Sequence, residues 1–227
     1  MVRTLALATA LTLSSQALAL SLGDLTNQEA TTGLRDGLMQ SASKAIAQLG
    51  TSGGFLDNAR VKIPLPDSIR RVESGLRLMG MGKQADELVV SMNRAAEMAV
   101  KEATPVLTSA VKRMSVQDAK GILTGGDTAV TEYFRRATSA ELTQKFMPIV
   151  KQATARVQLA EQYNQLAGQA SSLGLVAKDD ADINAYVTRK ALDGLFLVIG
   201  EQEKSIRKDP MGSASGMASK VFGAIGK

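Results

Sequence analysis

The chain has 227 residues, with 27 lysines and arginines against 22 acids, and it contains neither cysteine nor histidine. Those two absences exclude a thiolate nucleophile, a Ser-His-Asp triad, imidazole metal ligands, the usual zinc sites and any disulfide framework. A formal charge of +5 is spread along the chain, and with five phenylalanines, three tyrosines and no tryptophan there is no aromatic-interleaved basic cluster to bind nucleic acid.

Residues 1–19 read as a secretory signal peptide. Met1-Val2-Arg3-Thr4 is a short basic start, Leu5 to Leu13 an apolar run too short to span a bilayer, and Ala17-Leu18-Ala19 a small-x-small cleavage site. Cleavage after Ala19 leaves Leu20 first in the mature chain, and no cysteine follows to carry a lipid anchor. Beyond it, alanine, leucine, glutamine and lysine are plentiful and apolar residues recur at spacings of three and four. This predicts an all-α fold, an irregular multi-helix bundle of about seven to nine helices in a single domain over 20–227.

Thr26 to Glu29 is a capping box: the threonine hydroxyl accepts the N–H of Glu29, whose carboxylate returns to the Thr26 N–H. The helix it opens is expected to reach Leu49 and stop at Gly50. Residues 51–66 form one long irregular connection, since Pro64 and Pro66 deny helix to the residues before them. Helix resumes from Asp67 to about Met79, is broken by Gly80-Met81-Gly82, and continues from Lys83 to Glu102. Thr104-Pro105 reads as an N-cap followed by a first-turn proline. Ser115 caps another short helix. Thr138-Ser139-Ala140-Glu141 is expected to open the longest helix, bent near Pro148 and ended by Gly174. Lys178 to Asp182 is an acidic turn before the most hydrophobic segment, Ile183 to Ile199. Residues 210–227 make a weak amphipathic helix with Met211, Ala214, Ala218, Val221, Phe222 and Ile225 on one face. Docking of that face on the bundle is expected, and peripheral membrane contact through it is the alternative.

The most motif-like stretch is GILTGGDTAVTEYFRR, residues 121–136. A phosphate loop needs glycine N–H groups at a helix start, followed by Lys and Ser or Thr. Here Asp127 sits at the helix mouth, where a carboxylate would cap those N–H groups itself and repel an anion. Gly125 and Gly126 fit a left-handed terminator of the preceding helix. The stretch therefore reads as a corner, while Arg135 and Arg136 stay available to an anion. Ser41-Ala42-Ser43-Lys44 matches the serine-x-x-lysine pattern of penicillin-recognising enzymes, but its companions S-D-N and K-T-G are missing. Asp179, Asp180 and Asp182 lack the glycine and closing glutamate of a calcium loop and read as an N-terminal acidic cluster, so no metal site is expected. Asp193 is the one charge in the apolar run Ala191 to Ile199. If buried it needs a partner, and Arg189 at i−4 or Lys190 at i−3 is within reach. An acid lining a cleft is the functional alternative.

Read together, SLGDLTNQEATTGLRDGL, KIPLP, LRLMGMGKQADELV, MSVQDAKGILTGGDTA, YFRRATS and YVTRKALDGLF followed by DP resemble the exported bacterial proteins grouped as the "domain of unknown function 4197" family, over essentially the whole mature chain. The resemblance implies a Gram-negative envelope setting, hence the periplasm, and a single family domain. It implies no cofactor and names no catalytic residue. The leading expectation is a non-enzymatic binding or protein-interaction module whose partner is a protein or an apolar ligand. A carrier of a lipid or other apolar molecule is the second, motivated by ten methionines that make adaptable pocket walls. A hydrolase or lyase using Asp193, Lys190 and Glu201 is the third. Asp193 and Glu201 lie about 12 Å apart along one helix, too far to share a proton.

Overall fold

The computed structural model describes residues 26–225 except 72, 79, 81, 173–180 and 215. The signal-peptide reading of residues 1–19, the stop at Gly174, and Lys178, Asp179 and Asp180 lie outside the described residues. Among those described there are eleven helices and no strand. They are α1 (Asn27–Leu49), α2 (Asp67–Arg70), α3 (Glu73–Leu78), α4 (Gly82–Val100), α5 (Ala103–Arg113), α6 (Val116–Thr124), α7 (Ala129–Thr154), α8 (Gln158–Ser172), α9 (Ile183–Lys208), α10 (Pro210–Ser213) and α11 (Gly216–Ile225). The count exceeds seven to nine because α2 and α10 are single turns and the longest expected helix is two.

Two of the caps read from the sequence are present. Thr26 and Glu29 form the reciprocal box at α1. Ser115 and Asp118 form another at α6, and Asp182 accepts the Asn184 N–H at the start of α9. Three boundaries differ from expectation. Asp67 to Met79 is broken into α2 and α3, a stretch whose described side chains bury only Ile69 and so give a longer helix little to pack. Before Pro105 the break falls earlier, at Lys101-Glu102, so Thr104 lies inside α5 and Pro105 is its third residue. A missing N–H costs nothing there, because the first four have no partner within the helix. Finally, Thr138 and Ser139 do not start a helix. Their hydroxyls donate to the Phe134 and Arg135 carbonyls, each at 2.6 Å, one turn back inside α7. That bonding removes them as caps and lets α7 begin nine residues earlier, at Ala129. The helix ends at Thr154, whose hydroxyl is engaged by the Val150 carbonyl and the Asn184 side chain, and α8 follows after a short turn.

Helix α9 is the axis of the bundle. Helices α1, α4 and α7 pack around it, α5 lies against α1 and α7, and α11 lies on α1. Val187, Ala191, Leu195, Phe196, Val198 and Ile199 are fully buried there. The α7 and α9 axes run antiparallel, since Thr131 approaches Gly200 near one end and Thr154 meets Asn184 at the other. The α11 part of the C-terminal face docks on the bundle: Ala218, Val221 and Phe222 are buried, and Gly33 and Gly37 on α1 leave no room for a side chain beneath Val221 and Phe222, whereas Met211, expected on the same face, is 82% exposed. Lys44 donates to the Ser213 carbonyl at 2.6 Å, tying α10 to α1 instead of activating Ser41. Among the described residues no helix is long and apolar enough to cross a membrane.

Candidate functional site

The irregular connection 51–66 is held by buried polar groups of α4. One Glu97 oxygen accepts the N–H groups of Gly53, Phe55 and Leu56 at 3.1, 3.2 and 3.1 Å, while Arg94 pairs with the other at 2.6 Å. Asn93 accepts the Ile63 N–H at 2.8 Å and donates to the Ile63 carbonyl at 2.9 Å, in the manner of a strand partner. The Tyr186 hydroxyl donates to the Pro64 carbonyl from α9. These bonds satisfy backbone groups that a buried loop would otherwise strand. Burial is the largest influence on the Glu97 carboxyl and pushes its pKa up. Arg94 and the Leu56 and Phe55 N–H groups outweigh that and hold it below the usual range.

So fixed, the connection becomes one wall of a groove of about 530 Å³ that runs along α9. Arg60, Val61, Lys62 and Pro64 form that wall, and Thr128, just before α7, with Thr131 and Arg135 of α7 form the other. The floor is one stripe of α9, in which Lys190, Asp193, Leu197, Glu201 and Lys204 follow at spacings of three and four. Two glycines bring the walls close. A Cβ at Gly194 would stand 2.7 Å from the Phe55 ring, and one at Gly200 would stand 3.1 Å from the Thr131 hydroxyl.

Both acids of the groove are engaged by arginine. Glu201 pairs with Arg60 at 2.7 Å, and Asp193 pairs with Arg135 at 3.2 Å. This corrects the sequence reading of Asp193 as buried and matched with Arg189 or Lys190. Its side chain is 50% exposed, because it belongs to the groove-lining face of α9 that none of the described helices covers. Arg189 and Lys190 instead turn toward the Tyr186 ring, at 5.7 and 5.8 Å from its centroid. Arg135 also lies over Phe196 at 4.8 Å, which holds its guanidinium against the groove floor. Among the described residues Lys62, Lys190 and Lys204 are in no ion pair, so three positive charges of the groove are unmatched by an acid, Lys190 having only the Tyr186 ring beside it.

The TGGD corner is a separate and smaller notch of about 310 Å³ between α6 and α7. Arg136 points into it and pairs with Asp118 at 3.2 Å, so Arg135 and Arg136 serve different depressions despite being neighbours. Asp127 is not a helix cap. The N-cap of α7 is Thr128, which makes no side-chain capping bond. The N–H groups of Val130 and Thr131 are taken by the carboxylate of Glu203, at 2.9 and 3.1 Å, reaching across from α9. Nor is Gly125 left-handed, since its backbone is extended with φ −81°. Arg207 completes the joint by pairing with Glu203 at 3.1 Å and donating to the Ile122 carbonyl at the end of α6. Burial, the dominant influence, lifts the Glu203 carboxyl above the usual glutamate range against the pull of Val130, Thr131 and Arg207.

Glu203, Glu97, Asn93, Arg60, Lys62 and Lys204 are among the site-forming residues that sequence reading missed. A signal for Glu203 was present: Phe196, Ile199, Glu203 and Ile206 share one buried stripe, with Arg207 four residues beyond the acid. Among the described residues no group of three or more acids gathers as metal ligands. The family described as "Protein of unknown function (DUF4197)" matches residues 24–223. No curated protein and no solved structure matches the chain.

Proposed function

The chain belongs to the DUF4197 family, and from that premise we propose that it is an exported, periplasmic, non-enzymatic binding module that works through the α9 groove. The observation that carries this reading is the groove itself: two walls set by buried polar anchors, arginines matched to its acids, and three lysines left over. With Asp193 and Glu201 both committed to arginine, the groove offers charge and shape for holding a ligand better than a free base for proton transfer. Export follows from the basic start, apolar run and cleavage site of residues 1–19. N-terminal sequencing of envelope-fraction protein is expected to begin at Leu20, and a sequence beginning at Met1 would sink this part of the reading.

The groove is tested by placing a photo-crosslinking residue at Leu197, on its floor, and at Val116, which is exposed on α6 away from it. A discrete adduct in intact cells from position 197 and none from 116 is expected. Equal yields, or no adduct from 197, remove the groove as the binding surface. A second reading, a carrier of a lipid or other apolar ligand, draws on Val61, Phe196 and Leu197 in the groove lining. Native mass spectrometry after gentle purification separates the two, because a carrier retains a small molecule.

A further inference from the structure

The groove differs from a pocket for a single anionic head in how its charges are distributed. Lys190 and Lys204 stand at its two ends on α9, separated by about 21 Å at a rise of 1.5 Å per residue. Lys62 stands on the loop wall between them. Between them, flanked by the Asp193–Arg135 and Glu201–Arg60 pairs, Leu197 is 46% exposed and Phe196 lies buried beneath Arg135. The two acids of the lining are each covered by an arginine, so the surplus charge is the three separated lysines.

Building on the groove reading above, we propose that the occupant is an extended acidic peptide segment, about six residues long at 3.3 Å per residue, with carboxylates near both ends and an apolar side chain over Leu197. A compact phosphate would satisfy one lysine and leave the other two unmatched. A fatty acid or other single-headed amphiphile would place its tail against a charged end of the groove. An extended chain with charges at both ends and an apolar centre matches all three features, by charge complementarity at the rim and contact at the middle.

The probe is a fluorescein-labelled hexapeptide, Asp-Glu-Leu-Leu-Glu-Asp, titrated by fluorescence anisotropy against the full mature chain. Saturable binding that weakens with salt is expected. The tripeptide Asp-Leu-Glu, too short to span Lys190 to Lys204, is expected to bind at least about tenfold more weakly. The exposed double variant Lys62→Gln/Lys204→Gln is expected to lose about tenfold or more in affinity. Leu197→Asp, which changes a different part of the groove, is expected to lose as much. Circular dichroism and urea unfolding confirm the fold of each variant. If one fails to fold, the other decides. A hexapeptide that does not bind, or that binds the folded variants as tightly as wild type, overturns the proposal. If dodecyl phosphate binds the groove and the hexapeptide does not, the acidic-peptide proposal is overturned while the groove reading survives. If neither binds and position 197 also yields no adduct, the groove reading has failed with it.

Discussion

Asp127 is the sequence-local candidate for the unpaired N–H groups at the start of α7, and the structure gives them to Glu203, from a helix far away in sequence. A sequence reader sees the local candidate because capping rules are local; a cap supplied across the bundle leaves only the weaker trace of an acid on a buried stripe. Glu203→Ala would leave Arg207 buried without its partner and two N–H groups unmade. The expected loss is about 3–5 kcal/mol in urea unfolding. Asp127→Ala, at an exposed position with no capping bond, is expected to stay within about 0.5 kcal/mol. Asp193 shows the same limit from the other side. Its neighbours in sequence are apolar, but its neighbours in space are solvent and Arg135. Asp193→Asn should therefore cost no more than about 1 kcal/mol, the range of an exposed ion pair, and a larger loss would mean the pair is more than a surface contact.

At the scale of elements, the sequence was most informative where the cause of a boundary is local. The reciprocal caps at Thr26 and Ser115 and the irregular 51–66 stretch are there as expected, and Gly80 takes the left-handed backbone at the break before α4. It was least informative where a hydroxyl had two uses. Thr138 and Ser139 fit a cap pattern, yet they bond one turn back and continue α7. What the sequence could not give was the support of the 51–66 connection, since Asn93 and Glu97 look like ordinary polar positions of α4. Glu97→Ala is expected to release that wall of the groove. Amide exchange at Gly53, Phe55 and Leu56 should rise sharply, with a stability loss of about 1–3 kcal/mol for the stranded donors. Unchanged exchange at those three amides would show that the loop is held by its apolar contacts alone. The docked face of α11 leads to a second expectation. Liposome flotation of the intact chain should leave it in the unbound fraction, because Val221 and Phe222 are turned onto α1.

For the molecule as a whole, the two buried glutamates give opposite responses to pH. Glu97 has its folded pKa lowered, so its contribution is present above the ordinary glutamate range and is lost as pH falls through the lowered value. Glu203 has its folded pKa raised, so its contribution is complete below the ordinary range and is lost as pH rises through the raised value. Urea unfolding across acid to neutral pH should therefore show wild type losing stability relative to Glu203→Gln as pH rises, and gaining relative to Glu97→Gln. Parallel curves for wild type and Glu203→Gln would mean that Glu203 titrates normally. The close seat of α11 on Gly33 and Gly37 carries a further consequence, for the order in which the chain can fold. One face of the first described helix waits for the last, with almost the entire described sequence between them, and contacts so distant in sequence form late and slowly. During synthesis, the groove-forming helices can assemble on α9 while the α1 surface meant for Val221 and Phe222 still faces water. A chain stopped before Gly216 would keep that apolar strip open permanently, which predicts aggregation of the truncated protein even where the rest of the bundle is built.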